Sequence, residues 1–344
     1  RDLMMGAALS TQAQNKWYEN VKFSGYGMVQ YQASDKDGAE SNGFNLRLVR
    51  MSLEGRAHED FYWKAQMQIN GNTYDPDNAG KTDIRLVDLF GEWQKYEFFK
   101  VKAGQFKRPF TFENPMHPIT QGFMSYSQNV SKLAGFSDRC GGQASNGRDI
   151  GVQIQGDFLK NADGRNLLHY QIGAFNGEGI NQKDKDNRKD IIGGAWVMPI
   201  KGMRIGAFGW TGSRAGVGEK NRYALSGEYA ANDWTFRTEY IHSQGWNAAH
   251  TADKADGLYA LCIAPIQKNK MHVKARYDLY REAKEWNQSK TQYEIGADYM
   301  FTKNLQINLE YARVNDRTIA NSDKHNYNMV DVELDFRFYI LVIQ

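Results

Sequence analysis

Long apolar runs are missing from the chain. No stretch approaches the roughly eighteen residues of a membrane-spanning helix, and the mean hydropathy is −0.68. This excludes a helical membrane protein but leaves open a membrane β-barrel, in which only alternate residues meet lipid. Proline is scarce, at 6 residues, and cysteine scarcer still, at 2. Cys140 and Cys262 sit in no CxxC or Cys/His spacing, so neither a metal site nor a cofactor is expected. They are either one disulfide or two unrelated small residues. An excess of one charge is missing too, since 43 basic residues stand against 40 acidic ones for a net +3. A nucleic-acid partner calls for basic residues gathered on one face, and none is expected. The glycine pairs and runs near Gly141 and Gly202 lack the order of a phosphate-binding loop. No Ser/His arrangement stands out, so an outer-wall hydrolase is the weakest functional reading.

Glycine is abundant, at 33 residues, and aromatics make up 13% of the chain. That suits many strands joined by tight turns. The segment Leu3-Met4-Met5-Gly6-Ala7-Ala8-Leu9 reads as the end of an apolar signal-peptide core, with Thr11-Gln12-Ala13 as its cleavage site. Residues 1–13 are therefore expected to be residual signal peptide and 14–344 a single domain. After Trp17 the chain alternates with period two. Val21, Phe23, Gly25, Gly27, Val29 and Tyr31 share one face, and Lys22, Ser24, Tyr26, Gln30 and Gln32 the other. Over 43–57 the phase breaks at Leu48-Val49. A β-bulge there turns both Leu46 and Leu48 outward and puts Arg47 and Arg50 on the polar face. Further strands are predicted over 60–71, 83–94, 98–106, 148–159, 166–176, 190–199, 203–211, 223–231, 234–243, 258–266, 271–280, 292–301, 305–314 and 327–339.

The connections sort into two kinds that alternate strictly. Short ones such as Asn232-Asp233 follow every even-numbered strand. Longer polar ones, at 34–42, 72–82, 107–147, 177–189, 212–222, 244–257, 281–291 and 315–326, follow every odd-numbered strand. This is the pattern of a transmembrane antiparallel up-and-down β-barrel, with turns at one end and loops at the other. The count is about sixteen strands, enough to enclose an aqueous channel. The last strand, ending near Tyr339, resembles the closing strand of outer-membrane barrels, and the apolar tail 340–344 departs from that pattern. The connection 107–147 is far longer than ordinary loops, which marks it as functional. It is expected to fold into the lumen and narrow it.

Inward charges divide unevenly around the wall. Lys22, Arg47, Arg50, Lys64, Lys100 and Lys102 lie on the first five strands, and Glu228, Glu239, Asp278, Glu294, Asp298, Glu310, Asp331, Glu333 and Asp335 on the later ones. Arg237, Lys274, Arg276 and Arg337 interrupt the acidic side, and His272 shares its face with Lys274 and Arg276. Lys107, Arg108, Lys132, Arg139 and Arg148 belong to the long loop or its roots, against Glu113, Asp138 and Asp149. These five are the candidate constriction residues and the six lysines and arginines of the early strands the candidate pore wall, because charged rings set which ions a pore favours.

Gly104-Gln105-Phe106-Lys107-Arg108-Pro109-Phe110-Thr111-Phe112-Glu113 closely resembles the strand-to-loop motif of the phosphate-selective porin O and P family. Gly147-Arg148-Asp149-Ile150-Gly151 is similar to that family's return into the next strand, and Ile172-Gly173-Ala174-Phe175-Asn176-Gly177-Glu178-Gly179 to its following strand end. The resemblance implies a sixteen-stranded barrel in the bacterial outer membrane, held in its lipid as a homotrimer and passing small anions by facilitated diffusion. Phosphate selectivity and a broader porin for small hydrophilic solutes both stay open. So does a barrel plugged by its loop that serves as a surface or assembly partner.

Overall fold

The structure is a computed structural model that describes residues 21–70, 84–141 and 147–341. The expected signal peptide lies outside the described residues. Sixteen antiparallel strands close into one barrel, each paired with its sequence neighbours and β1 with β16. They are β1 (Lys22–Ser34), β2 (Ser41–His58), β3 (Phe61–Gln68), β4 (Arg85–Tyr96), β5 (Phe99–Lys107), β6 (Arg148–Lys160), β7 (Asn166–Phe175) and β8 (Asp190–Val197). There follow β9 (Met203–Arg214), β10 (Gly218–Ala231), β11 (Trp234–Gln244), β12 (Lys254–Gln267), β13 (Met271–Arg281), β14 (Ser289–Thr302), β15 (Leu305–Asp316) and β16 (Asn326–Leu341). One short helix, α1 (Gln128–Leu133), lies within the long β5–β6 loop. No helix among the described residues is long and apolar enough to cross a membrane.

Period-two alternation explains why these segments are strands. Leu225, Phe236, Val273, Ile295, Leu309 and Leu334 point outward and are exposed, while Arg222, Arg237, Lys274, Glu310 and Glu333 point inward and are buried. Exposed aromatics ring both ends of the apolar band, Tyr96, Phe98, Trp234 and Phe301 at the turn end and Tyr223, Tyr293 and Tyr311 at the loop end. That is the outer surface a bilayer requires. Gly25 and Gly27 on β1 leave room for the rings of Phe338 and Phe336 on β16, which lie over them. The seam is thus covered by aromatics where strand glycines offer no side chain to pack.

Two expectations need correction. The bulge in β2 falls one residue earlier than the sequence suggests, since Met28 pairs with Leu48 and Val29 with Leu46, leaving Arg47 as the extra residue. Leu48 consequently turns inward, where it packs with Tyr26, Met28 and Ile119 of the long loop. Hydrophobicity misled here because an apolar partner for Leu48 waits inside the lumen. The 212–222 loop is also much shorter than expected. β9 and β10 stay paired out to Arg214 and Gly218, with Thr211 donating to Asn221 across the strands at 2.7 Å. Polar residues there project beyond the wall as a hairpin. The two cysteines do not pair, Cys140 being buried in the loop and Cys262 partly exposed on the wall. The tail continues β16, with Ile340 opposite Phe23 and Leu341 opposite Lys22, and residues 342–344 lie outside the described part.

The β10–β11 turn consists of Asn232 and Asp233, both with positive φ, at 53° and 67°. This is the geometry of two-residue hairpins, in which asparagine, aspartate and glycine carry the left-handed conformation. Asn232→Ala should lower barrel stability by about 1–2 kcal/mol, the usual cost of a left-handed alanine, whereas Asn232→Gly should not. The urea midpoint of the folded barrel in detergent micelles, followed by gel mobility, distinguishes the two.

Candidate functional site

The long loop leaves β5 at Lys107-Arg108-Pro109. Pro109 has no N–H for a ladder, and the last backbone pair between the two roots is Arg108 N–H to Gly147 C=O, at 2.8 Å. Asn114 then staples the roots, its amide donating to the carbonyls of Arg108 at 3.0 Å and Gly147 at 3.3 Å. Gly147 has φ +71°, and any side chain there would collide with that amide. Thr111 turns the loop with φ 70° and accepts the Asn114 N–H at 3.0 Å. A left-handed β-branched residue is strained. The strain is offset by its neighbours, because Phe110 and Phe112 are fully buried, with ring centroids 5.4 Å from Trp210 and Trp196 respectively.

Beyond this root the backbone has no ladder partners, yet most of it is buried in the lumen. Wall side chains supply them. Glu239 accepts the N–H groups of Phe112 and Glu113, Glu310 that of Met124 at 2.8 Å, and Asp278 that of Gln128 at 3.1 Å. Conversely Arg237 donates to the carbonyl of Gln121 at 2.8 Å, Lys274 to Gly122 at 2.9 Å, Arg276 to Ser125 at 2.8 Å and Arg222 to Leu133 at 3.0 Å. The described part of the loop is therefore bound to the wall of β10–β15. The other inward acids, from β10 round to β16, are also engaged. Glu228 meets Arg204 and Arg237, Glu294 meets Arg276, Asp298 meets His272, Asp331 accepts from Gln30, and Asp335 from Asn308. Glu333 is paired with Arg47 at 3.2 Å.

Between the loop and the opposite wall, β1 to β6, two cavities remain. One, of about 200 Å³, is lined by Arg47, Leu48, Arg50, Lys107, Tyr126, Phe136 and Arg148 among others. The second, of about 250 Å³, is lined by Tyr26, Arg50, Lys64, Asp88, Phe90, Lys102, Phe106, Lys107, His117 and Arg148. They share Arg50, Lys107, Pro118 and Arg148, which form the throat between them. Arg50 donates to the Tyr26 hydroxyl at 2.9 Å and to Gln68 at 3.2 Å. Lys107 donates to the Met116 carbonyl at 2.7 Å and the Tyr126 hydroxyl at 3.0 Å. Arg148 holds Asp88 with two bonds, at 2.7 and 3.1 Å.

The candidates from sequence thus separate. Lys107 and Arg148 come together at the throat with Arg47, Arg50, Lys64 and Lys102 of the wall. Lys132 faces a different cavity, of about 580 Å³, beside Asp278, Lys290, Glu310 and Asp331. Arg108 and Arg139 line neither throat cavity, contrary to expectation. Arg108 is buried against Asp149 at 3.3 Å and under the Trp210 ring. Arg139 donates to the carbonyls of Gly245, Ala252 and Glu282. Both guanidiniums hold the loop, having more donors to offer a buried carbonyl cluster than a channel would use. Lys22 stands at the turn end near Glu54, at 3.9 Å, and Lys100, one pleat below Lys102 on β5, lines neither throat cavity. The sequence reading put Tyr26 on the inner face but missed the inward rings of Phe90 and Phe106 beside it. The parity of Phe90 with Asp88 and Glu92 was the signal that it faces inward.

His117, on the loop at the throat, has its ring 4.5 Å from that of Tyr26, and its Nδ1 accepts the Ile119 N–H at 3.1 Å. Burial, reinforced by the charge of Lys107, pushes its pKa down to about 3. An accepting Nδ1 and a depressed pKa both require the neutral ring. Below the ordinary histidine value of about 6.5 the released loop takes up the proton more readily than the packed one. Loop packing should therefore weaken as pH falls from about 6.5 towards about 3, read as increasing protease cleavage within 115–135, and His117→Asn should flatten that dependence. Removing the acceptor of two buried N–H groups should act at any pH. Glu239→Leu should loosen the loop by about 1–3 kcal/mol per unpaired group, giving larger and noisier single-channel currents than Glu239→Gln.

A model of the Gram-negative porin family matches residues 3–319. No curated protein matches the sequence. Among solved structures, the anion-selective porin from Comamonas acidovorans aligns with TM-score 0.69 at 13% identity, over 92% of this chain and 99% of that one. The outer membrane channel DcaP of Acinetobacter baumannii aligns with TM-score 0.61 at 10% identity, over 93% and 96%. The in-vitro folded outer membrane protein OmpT of Vibrio cholerae, in its trimer form, aligns with TM-score 0.58 at 12% identity, over 92% and 99%. At these identities the likeness shows the fold, and the family match carries the assignment: this chain belongs to the Gram-negative porins, β-barrel channels of the bacterial outer membrane.

Proposed function

We propose that the protein is a passive channel that prefers small anions over cations. The observation that carries this reading is the charge on the two throat cavities, where six cations, Arg47, Arg50, Lys64, Lys102, Lys107 and Arg148, stand against the single carboxylate of Asp88. Low-dielectric walls focus that field onto the water between them. Of the acids across the lumen, Glu333 offsets Arg47, and the others are spent on the loop backbone and on cations outside the throat, so the throat keeps its positive excess. One solved structure of similar fold is itself an anion-selective porin.

The resemblance to phosphate-selective porins rests on motif residues that mostly root the loop. Of the two motifs around it, Phe106, Lys107 and Arg148 touch the throat cavities. Phosphate is accordingly read as one permeating anion rather than the selected one. We also propose a homotrimer of single-domain barrels starting near Gln14, as OmpT of similar fold occurs in a trimer form.

Purified protein in a planar bilayer under a tenfold salt gradient should show stepwise conductance and a reversal potential on the anion side, with a size that falls as ionic strength rises, because screening shortens the reach of the throat charges. Lys107→Gln should move the reversal potential towards zero. Arg108→Gln should leave its sign and size nearly unchanged while loosening the loop root. A reversal potential on the cation side, or equal effects of the two substitutions, overturns the proposal.

A further inference from the structure

The throat cations are not equivalent. Arg47, Arg50, Lys107 and Arg148 are each held by a carboxylate, hydroxyl, amide or carbonyl already described. Among the described residues no hydrogen bond or ion pair reaches the ammonium of Lys64 or of Lys102 in this structure. Both line the cavity of about 250 Å³ on the turn side of the throat. Each ammonium carries three donors, so this cavity holds two cations with hydrogen-bonding capacity left over.

Beside the held polar groups Arg50, Gln66, Asp88, Lys107 and Arg148, the rest of its lining is aromatic and proline. Lys102 lies over the faces of Phe90 and Phe106, 4.1 and 4.5 Å from their centroids. The two rings meet edge to face with centroids 5.9 Å apart. Tyr26 and His117, with centroids 4.5 Å apart, close the cavity from the β1 wall and the loop. Pro115 and Pro118 cover it with further apolar surface.

We propose that this cavity is a binding subsite for aromatic carboxylates, in which Lys64 and Lys102 take the carboxylate and the rings of Phe90, Phe106 and Tyr26 take the aromatic body. The assignment rests on the anion-preferring channel proposed above and names a class of solute for it. A carboxylate has two oxygens to satisfy and is served by two ammoniums. Inorganic phosphate spreads its charge over more oxygens and would leave several facing carbon. The guanidiniums that suit it best, Arg50 and Arg148, line the same cavity but are engaged by Tyr26, Gln68 and Asp88. An aromatic ring replaces water at the Phe90 and Phe106 faces in offset or edge contact, whereas acetate brings no such surface. The subsite lies on the conduction path, so an occupant that stays longer than chloride reads out as a drop in chloride current.

The test is the chloride conductance of the intact protein in a planar bilayer, titrated separately with sodium benzoate, acetate and inorganic phosphate. Benzoate should reduce the chloride current at a concentration about tenfold or more below acetate or phosphate, the equivalent of one added ring contact with its cation. Lys102→Gln and Phe90→Leu should each erase most of that advantage. Lys64→Gln leaves the ring packing untouched and should weaken block by benzoate by a larger factor than block by phosphate, which keeps the other throat cations. Equal block by benzoate and acetate in the unaltered protein overturns the subsite while the anion preference stands. A cation-side reversal potential overturns both readings. Benzoate block that survives Lys64→Gln, Lys102→Gln and Phe90→Leu alike also overturns it, because the ligand would then sit elsewhere.

Discussion

A buried peptide group must find a hydrogen-bond partner, and a loop inside a barrel has no ladder to supply one. This constraint organises the molecule. The loop between β5 and β6 puts its backbone deep in the lumen, and the wall of β10–β15 answers with carboxylates for the N–H groups and cations for the carbonyls. Glu239, Glu310 and Asp278 work on one side of that exchange, Arg237, Lys274 and Arg276 on the other. Because both kinds of charge are used, the wall that looks most acidic in sequence contributes little free charge to the channel. On the opposite wall Arg50, Lys64 and Lys102 line the cavity beside the throat and form no ion pair among the described residues. An asymmetric field thus follows from how the loop is satisfied rather than from net composition.

Much of the architecture was legible in the sequence. Alternation of apolar and polar residues with period two gave each of the sixteen strands to within a few residues at most ends, because side chains facing lipid and side chains facing water differ sharply in kind. The exceptions have local causes. Leu48 is apolar and inward because the loop offers it Ile119. The β9–β10 hairpin is polar and still paired because its strands run past the bilayer surface. The constriction was legible only in outline. That a long loop enters the lumen follows from its length and place. Which of its charges line the channel depends on contacts more than a hundred residues apart, such as Arg139 with Ala252 or Glu113 with Arg237, and no periodicity encodes those.

The motif residues that carry the family likeness have mainly mechanical tasks. Asn114 and Gly147 join the two feet of the loop, Phe110 and Phe112 pin its first turn, and Gly104 lets β5 pass close to the Leu89 carbonyl. Such a root can present different throats, because the wall residues Arg50, Lys64, Phe90 and Lys102 stand outside it. On the reading proposed above, fold and loop position rest on one set of residues and anion preference on another, as is usual when function is grafted onto a shared scaffold.

The β1–β16 seam has a consequence for how the molecule comes into being. Every other strand pairs with a neighbour that is adjacent in the chain, but Lys22 through Ser34 must wait for Met329 through Leu341. Until then the growing sheet carries two bare edges, each a template for pairing with another chain. Closing the ring bridges some three hundred residues in one step, the slowest class of contact to form. The barrel therefore has no closed half-way state: until the final strand pairs with the first, every intermediate sheet keeps two edges open to pairing with another chain.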